Sequence, residues 1–244
     1  MEAHDVELTV GILGTDEALR DLILHHLTQA DGFRSRIAGD QRLDNFSALL
    51  VAQSSSERMC TELTQLRRAG FSGPILCVGH ANDLNRMALA IAAGADDYLP
   101  IPERLDEVPL RIVALMRHQS RTMRRAPMAA VLHAESEAPN GDVGDTEQPS
   151  GQFVHCVVDA NQRTISCGGV TIKLTFSEMQ IVEYLRSHAH SWVTATSLMQ
   201  HVFGYGGDVD NTLIRVHVSS LRKKLGAQAG VLESRRTLGY RWRG

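Results

Sequence analysis

Short apolar runs alternate with longer segments whose apolar positions fall three and four residues apart through the first 118 residues. The runs LTVGIL (8–13), SALLVA (47–52), PILCVG (74–79) and DYLPI (97–101) read as strands, with a further short strand around 34–38. Between them EALRDLILHHL, SERMCTELTQLRRAG, NDLNRMALAIAAG and RLDEVPLRIVALMRH carry the helical period. Strand and helix in alternation predict a doubly wound α/β domain over residues 1–118, a parallel sheet with helices on both faces. Residues 119–150 lose the pattern, contain three prolines and few large apolar residues, and read as a flexible linker. From 151 to 244 the texture changes. A short antiparallel set with turns at 159–161 and Gly168-Gly169 precedes three helical segments, and the last residues alternate like a hairpin. The first of those helices opens on a capping box, Thr175 with Glu178, and the third ends at Gly226. Three helices and a two-stranded wing make a winged-helix plan.

Charge divides the chain at the same place. Residues 1–150 hold 14 basic residues against 22 acidic ones, while residues 151–244 hold 11 against 6. The last 34 residues carry eight basic residues against the single acid Glu233, which points to a polyanionic partner for that end. The four cysteines are widely spaced with no CxxC, so neither a zinc ribbon nor a disulfide framework is expected, and a reduced, cytoplasmic setting fits. No apolar run approaches the roughly 18 residues that span a bilayer, and no secretory leader opens the chain. His188, His190 and His201 lack acidic or cysteine companions, so no metal site is expected. The glycines of GYGGD have no following GK[ST], and no nucleophile and base pair suggests an enzyme or a cofactor.

On a helical wheel, NTLIRVHVSSLRKKLG gathers Ile214, Val218, Leu221 and Leu225 into one buried stripe. The opposite side presents Thr212, Arg215, Val216, Ser219 and Lys223, flanked by Ser220 and Arg222. Long cations and short hydroxyls suit a helix in the DNA major groove, where phosphates line the rims and base edges the floor. Val216 on that face could meet a thymine methyl. Arg235 and Arg236, at the expected tip of the wing, suit the neighbouring minor groove or a phosphate.

The motifs LTFSEMQIVEYL, VTATSLMQHVFGY, VHVSSLRKKLG and TLGYRW, covering most of residues 165–244, resemble the effector domain of the OmpR/PhoB family of response regulators. The resemblance implies a transcription regulator that binds tandem half-sites of double-stranded promoter DNA and works with RNA polymerase. It puts Val216 and Ser220 at base-contacting positions, His217 and Arg222 near phosphates and Arg236 at the wing arginine. Ser220 departs from the arginine often found there.

The first 118 residues resemble a receiver domain, most clearly in GADDYLPIPERLDEVPLRIVALMR. A working receiver needs two acids for Mg²⁺, an acceptor aspartate, a hydroxyl and a lysine. Here those positions hold Gly14 and Thr15, Ala52, Gly79 and Ile101. Phosphorylation at the usual site is therefore expected to be impossible. The surface that pairs receivers in the family keeps its charges: Arg86, Asp96, Asp97, Arg111 and Arg117 are expected to register a homodimer across subunits. Control by a small-molecule ligand or a partner protein at the first domain is the alternative.

Overall fold

The computed structural model describes residues 8–124 and 156–243, apart from 31, 40–41, 80–82, 102–103, 190 and 205–210. Five strands, β1 (Leu8–Leu13), β2 (Phe33–Ile37), β3 (Ala48–Ala52), β4 (Ile75–Gly79) and β5 (Asp97–Pro100), form one parallel sheet in the order β2-β1-β3-β4-β5. The sequence-based strands fall on these within a residue or two. Strands β3 and β4 are buried at every position, because helices cover both faces and leave no polar side to the sheet. The helices are α1 (Glu17–Thr28), α2 (Ser56–Arg68), α3 (Leu84–Ala93) and α4 (Glu107–Arg124). Asp16, Ser55 and Asp83 cap the first three through their side chains. Among the described residues only a short 3-10 turn, Leu43–Asn45, stands between β2 and β3.

Helix α4 runs through residues 119–124, which the sequence assigned to a linker; the rest of that expected linker lies outside the described residues. The second domain opens with an antiparallel sheet, β6 (Cys156–Asp159), β7 (Thr164–Cys167) and β8 (Val170–Lys173). Its first pair corrects the cysteine reading. The register sets Cys156 opposite Cys167 with their Cα atoms 4.4 Å apart, and the two are joined in a disulfide. Wide spacing in sequence concealed a pair that lies symmetrically about the hairpin turn.

Helix α5 (Phe176–Ser187) carries the expected capping box in full, Thr175 and Glu178 each accepting from the other's backbone. Helix α6 (Ala195–Leu198) continues as a π-helical turn, Met199–Phe203. Helix α7 (Thr212–Leu225) and the hairpin of β9 (Leu232–Arg235) and β10 (Gly239–Trp242) complete the winged-helix domain. No helix among the described residues is long and apolar enough to cross a membrane. The second domain docks on the first: α7 packs against α3, and α4 packs against the π-helical turn.

Candidate DNA interface and the seam behind it

Helix α7 is built as its wheel predicts. Ile214, Val218, Leu221 and Leu225 are buried, and Arg222, Lys223 and Lys224 fill the last turn, where cations suit the helix dipole. Arg222 reaches sideways to the wing, its Nη2 donating to the Leu232 carbonyl at 2.7 Å and to Ser234 Oγ at 3.0 Å. These bonds fix the wing beside the helix and leave a groove of about 490 Å³ lined by Arg215, Val218, Ser219, Arg222, Lys223, Ser234 and Tyr240. Burial raises the Tyr240 pKa, against the opposing pull of Arg215 and Arg222, so its phenol enters the groove as a neutral hydroxyl.

Arg215, Ser219 and Lys223 are exposed along one side of α7, and Arg235 and Arg236 are exposed on the wing. Among the described residues none of these four cations pairs with a carboxylate. By contrast Glu233 holds Arg241 at 2.6 Å and Arg243 at 2.7 Å. The groove and the wing together thus form a cationic surface with hydroxyls between the cations, the chemistry that a phosphate backbone and base edges require.

Three sequence-based assignments change on this helix. His217 is fully buried, so it does not face a phosphate here. Ser220, 6% exposed, turns inward and donates to Glu178 Oε1 at 3.0 Å. Val216 is half-buried against the core instead of facing solvent. The physical reason is the wheel itself: Leu213, His217, Ser220 and Lys224 form a second stripe beside the apolar one, and that stripe meets other protein.

Asp96 is the centre of that seam. Its Oδ2 accepts from Arg67 Nη2 at 2.6 Å and from the Ile75 amide at 2.9 Å. Its Oδ1 accepts from the Ser177 amide at 2.8 Å, and its carbonyl accepts from Ser177 Oγ and from His217 Nε2, both at 3.1 Å or less. One aspartate thereby ties β4 and α2 of the first domain to α5 and α7 of the second. Arg67, which also donates to the carbonyls of Phe71, Gly73 and Gly94, gave no sequence signal beyond a helix-end cation.

The proposed dimer charges are consumed in the same way. Arg111 Nη1 meets Asp97 Oδ2 at 3.0 Å and its Nη2 meets Glu107 at 2.7 Å, with Asp97 and Arg111 both buried. Arg86 donates through Nη2 to the Gln53 carbonyl. Asp96, Asp97 and Arg111 therefore bond within the chain and are not available to a partner in this conformation, a correction to the cross-subunit reading. The Arg117 side chain lies outside the described residues.

The five receiver positions lie together above the sheet. Gly14 adopts φ +126°, and a Cβ there would sit 1.8 Å from the Ala52 carbonyl oxygen, so the backbones of two loops close over the strand ends. Ala52 and Ile101 are fully buried. A Cβ on Gly79 would meet Tyr98 Oη at 2.8 Å and Arg86 Nε at 3.1 Å, so a hydroxyl residue there would have to displace the ends of these two side chains. Thr15 is exposed and donates to Gln53 Oε1 at 3.1 Å, and Gln53 in turn donates to Glu62 at 2.6 Å. Among the described residues no cluster of acids, histidines or cysteines could hold a metal ion.

His217 makes the seam sensitive to pH. A carbonyl can only accept, so Nε2 carries the proton and Nδ1 is a bare, buried nitrogen without a partner among the described residues. Burial lowers the His217 pKa, although Glu178 on α5, Asp96 just before β5 and Asp97 on β5 pull it upward. The docked state therefore binds fewer protons at this group than a solvent-exposed imidazole does. Docking is at full strength above pH 6.5 and weakens as pH falls below it, by up to about tenfold per unit. Burial also raises the Asp97 pKa, against the pull of Arg111. Hydrogen exchange at the Ser177 amide between pH 7.5 and 5.5, corrected for intrinsic rate, is expected to lose protection with acid. In a His217→Phe protein that pH dependence is expected to vanish.

The family described as "Transcriptional regulatory protein, C terminal" matches residues 169–242. The chain is 28% identical over 178 residues to the response regulator protein PmrA of Pseudomonas aeruginosa, covering 73% of this chain and 69% of that one. It is 27% identical over 221 residues to the transcriptional regulatory protein CpxR of Escherichia coli, covering 88% of each. Among solved structures, a mutant of RitR superposes with a TM-score of 0.66 at 16% identity, covering 96% of this chain and 98% of that one. That likeness extends the shared architecture across both domains.

Proposed function

The chain belongs to the OmpR/PhoB family of response regulators, and from that premise we propose that it regulates transcription by binding tandem half-sites of promoter DNA as a homodimer without aspartyl phosphorylation. The observation that carries the DNA reading is the exposed cationic surface of Arg215, Lys223, Arg235 and Arg236 around the groove, which meets no carboxylate among the described residues. Phosphorylation independence is supported by the buried methyl of Ala52 and by the closure of Gly14 onto its carbonyl, which leaves no room for an acid at position 14. In a cytoplasmic setting RNA polymerase is the expected further partner.

The homodimer reading takes a specific form. Because α7 covers the surface of α3, the docked chain is the monomeric state, and dimerisation through that surface belongs to an opened chain on DNA. The alternative of ligand or partner control is favoured at the seam instead of the closed crevice over Ala52. A partner that displaces α7 from α3 would act on the same equilibrium.

The test is site selection from a random duplex pool, followed by anisotropy titration with and without acetyl phosphate and Mg²⁺. Salt-dependent binding that the donor leaves unchanged is expected. Lys223→Ala is expected to weaken binding about five- to a hundredfold and to lower the salt slope by about one phosphate. Binding that appears only after donor treatment would overturn phosphorylation independence, and sedimentation of the protein–DNA complex as one chain per site would overturn the homodimer.

A further inference from the structure

Trp192 lies half-buried on the segment between α5 and α6, and the wing is built directly against it. Val193 and Tyr240 exchange two backbone hydrogen bonds, each 2.8 Å, which hang strand β10 on that segment. Gly239 makes the approach possible. With φ +102°, it sits where a Cβ would fall 2.0 Å from the Val193 carbonyl oxygen, a space that no side chain can occupy. Cross-strand from Gly239 is Arg235. The guanidinium of Arg235 lies 5.1 Å from the centre of the Trp192 ring, and that of Arg241 lies 4.5 Å from it.

The two arginines differ in what else they touch. Arg241 donates twice to Glu233 Oε2, at 3.0 and 2.6 Å, and shares that carboxylate with Arg243. Arg235 is exposed and meets no carboxylate among the described residues, so its charge is available to an outside anion. An exposed arginine on a hairpin otherwise samples many rotamers, and ordering it on an anion costs side-chain entropy. A ring face within reach of the guanidinium reduces that cost by holding the side chain before the anion arrives.

We propose that Trp192 is a positioning residue for DNA binding, presetting Arg235 on the wing for a phosphate of the DNA backbone. This rests on the DNA reading above. The Glu233–Arg241 pair anchors the other guanidinium at the ring, so the indole holds its place as the wing meets DNA. Trp192 itself reads no base. Its effect passes through Arg235.

The experiment uses the full-length protein and the duplex obtained by site selection, titrated by anisotropy at four salt concentrations. Trp192→Ala is expected to weaken binding roughly three- to tenfold and to reduce the salt slope by about one phosphate. Trp192→Phe, which keeps a ring face, is expected to recover most of the affinity. Arg235→Ala is expected to match Trp192→Ala, and the double variant to add little to either, because both remove the same contact. A salt slope left unchanged by Trp192→Ala, or a double variant whose losses add in full, overturns the proposal. Wild-type protein that selects no duplex at all overturns the underlying DNA reading instead, and the two failures are read from different samples.

Discussion

The Asp96→Ala protein is expected to be less stable by about 3–5 kcal/mol, because the substitution removes a fully buried carboxylate and leaves its partners behind. Arg67 would keep three carbonyl acceptors and lose its counter-charge. The amides of Ile75 and Ser177 would lose their acceptor at buried positions, each at a cost of about 1–3 kcal/mol when unsatisfied. Because the carboxylate bonds to both domains, its loss acts twice: the β4–β5 edge of the sheet loosens, and the second domain loses its docking point. Thermal unfolding is expected to shift down by about 6–15 °C and to separate into two transitions, one per domain. Two comparisons isolate the causes. Ser177→Ala deletes only the hydroxyl bond to the Asp96 carbonyl, so a loss near 1 kcal/mol is expected. Asp96→Asn keeps an acceptor for the Ser177 amide and removes the charge facing Arg67, so it is expected to fall between them. A melting point unchanged in Asp96→Ala would show that the seam contributes nothing to the folded chain.

How much of this could be seen in the sequence follows from the range of the interactions involved. The strands and helices were legible because their apolar periods are local, and the four stripe residues of α7 on the wheel are all buried in the fold, which also buries Leu213, His217 and Ser220 beside them. The Thr175 capping box was legible for the same reason, since its two halves lie three residues apart. The seam was not. Asp96 and His217 are 121 positions apart, and nothing local to either announces the other. A histidine on the polar shoulder of a recognition helix reads as a phosphate contact until the neighbouring domain is seen to cover it. The Asp97–Arg111 pair misled in a different way: the charges expected across a dimer are present and do pair, but within one chain. Cys156 and Cys167 needed strand register to be matched, although the turn between them was legible and, with counting outward from it, could have supplied that register. Trp192 gave no signal at all, because its role depends on a wing residue that becomes its neighbour only when β10 pairs with the segment at Val193.

Restoring the missing acid should not restore the chemistry. Ala52→Asp is expected to cost several kcal/mol of stability and to gain no phosphoryl group from acetyl phosphate and Mg²⁺. The site is fully buried, and a carboxylate placed there without a metal ion or a dedicated cation carries an uncompensated charge in a dry environment. An acceptor aspartate works because two further acids hold a divalent ion beside it and a lysine meets the transferred group. Neither can be supplied by the neighbours. Gly14 has no room for a side chain, since its Cβ would fall on the Ala52 carbonyl, and Ile101 is packed in the core. The hydroxyl position is also vacant, with the ends of Tyr98 and Arg86 resting over Gly79. Intact-protein mass spectrometry after donor treatment is expected to show no phosphoryl adduct on either the wild-type or the Ala52→Asp protein, while denaturant unfolding shows the lower stability of the variant. A hydroxylamine-labile phosphoryl adduct on Ala52→Asp alone would mean that the loops over the strand ends open far enough to admit Mg²⁺. In that case the first domain would have lost its acceptor and kept its switch. Without such an adduct the proposed phosphorylation-independent binding keeps its support, and the seam around Asp96, where α7 packs against α3, is where its proposed control would act.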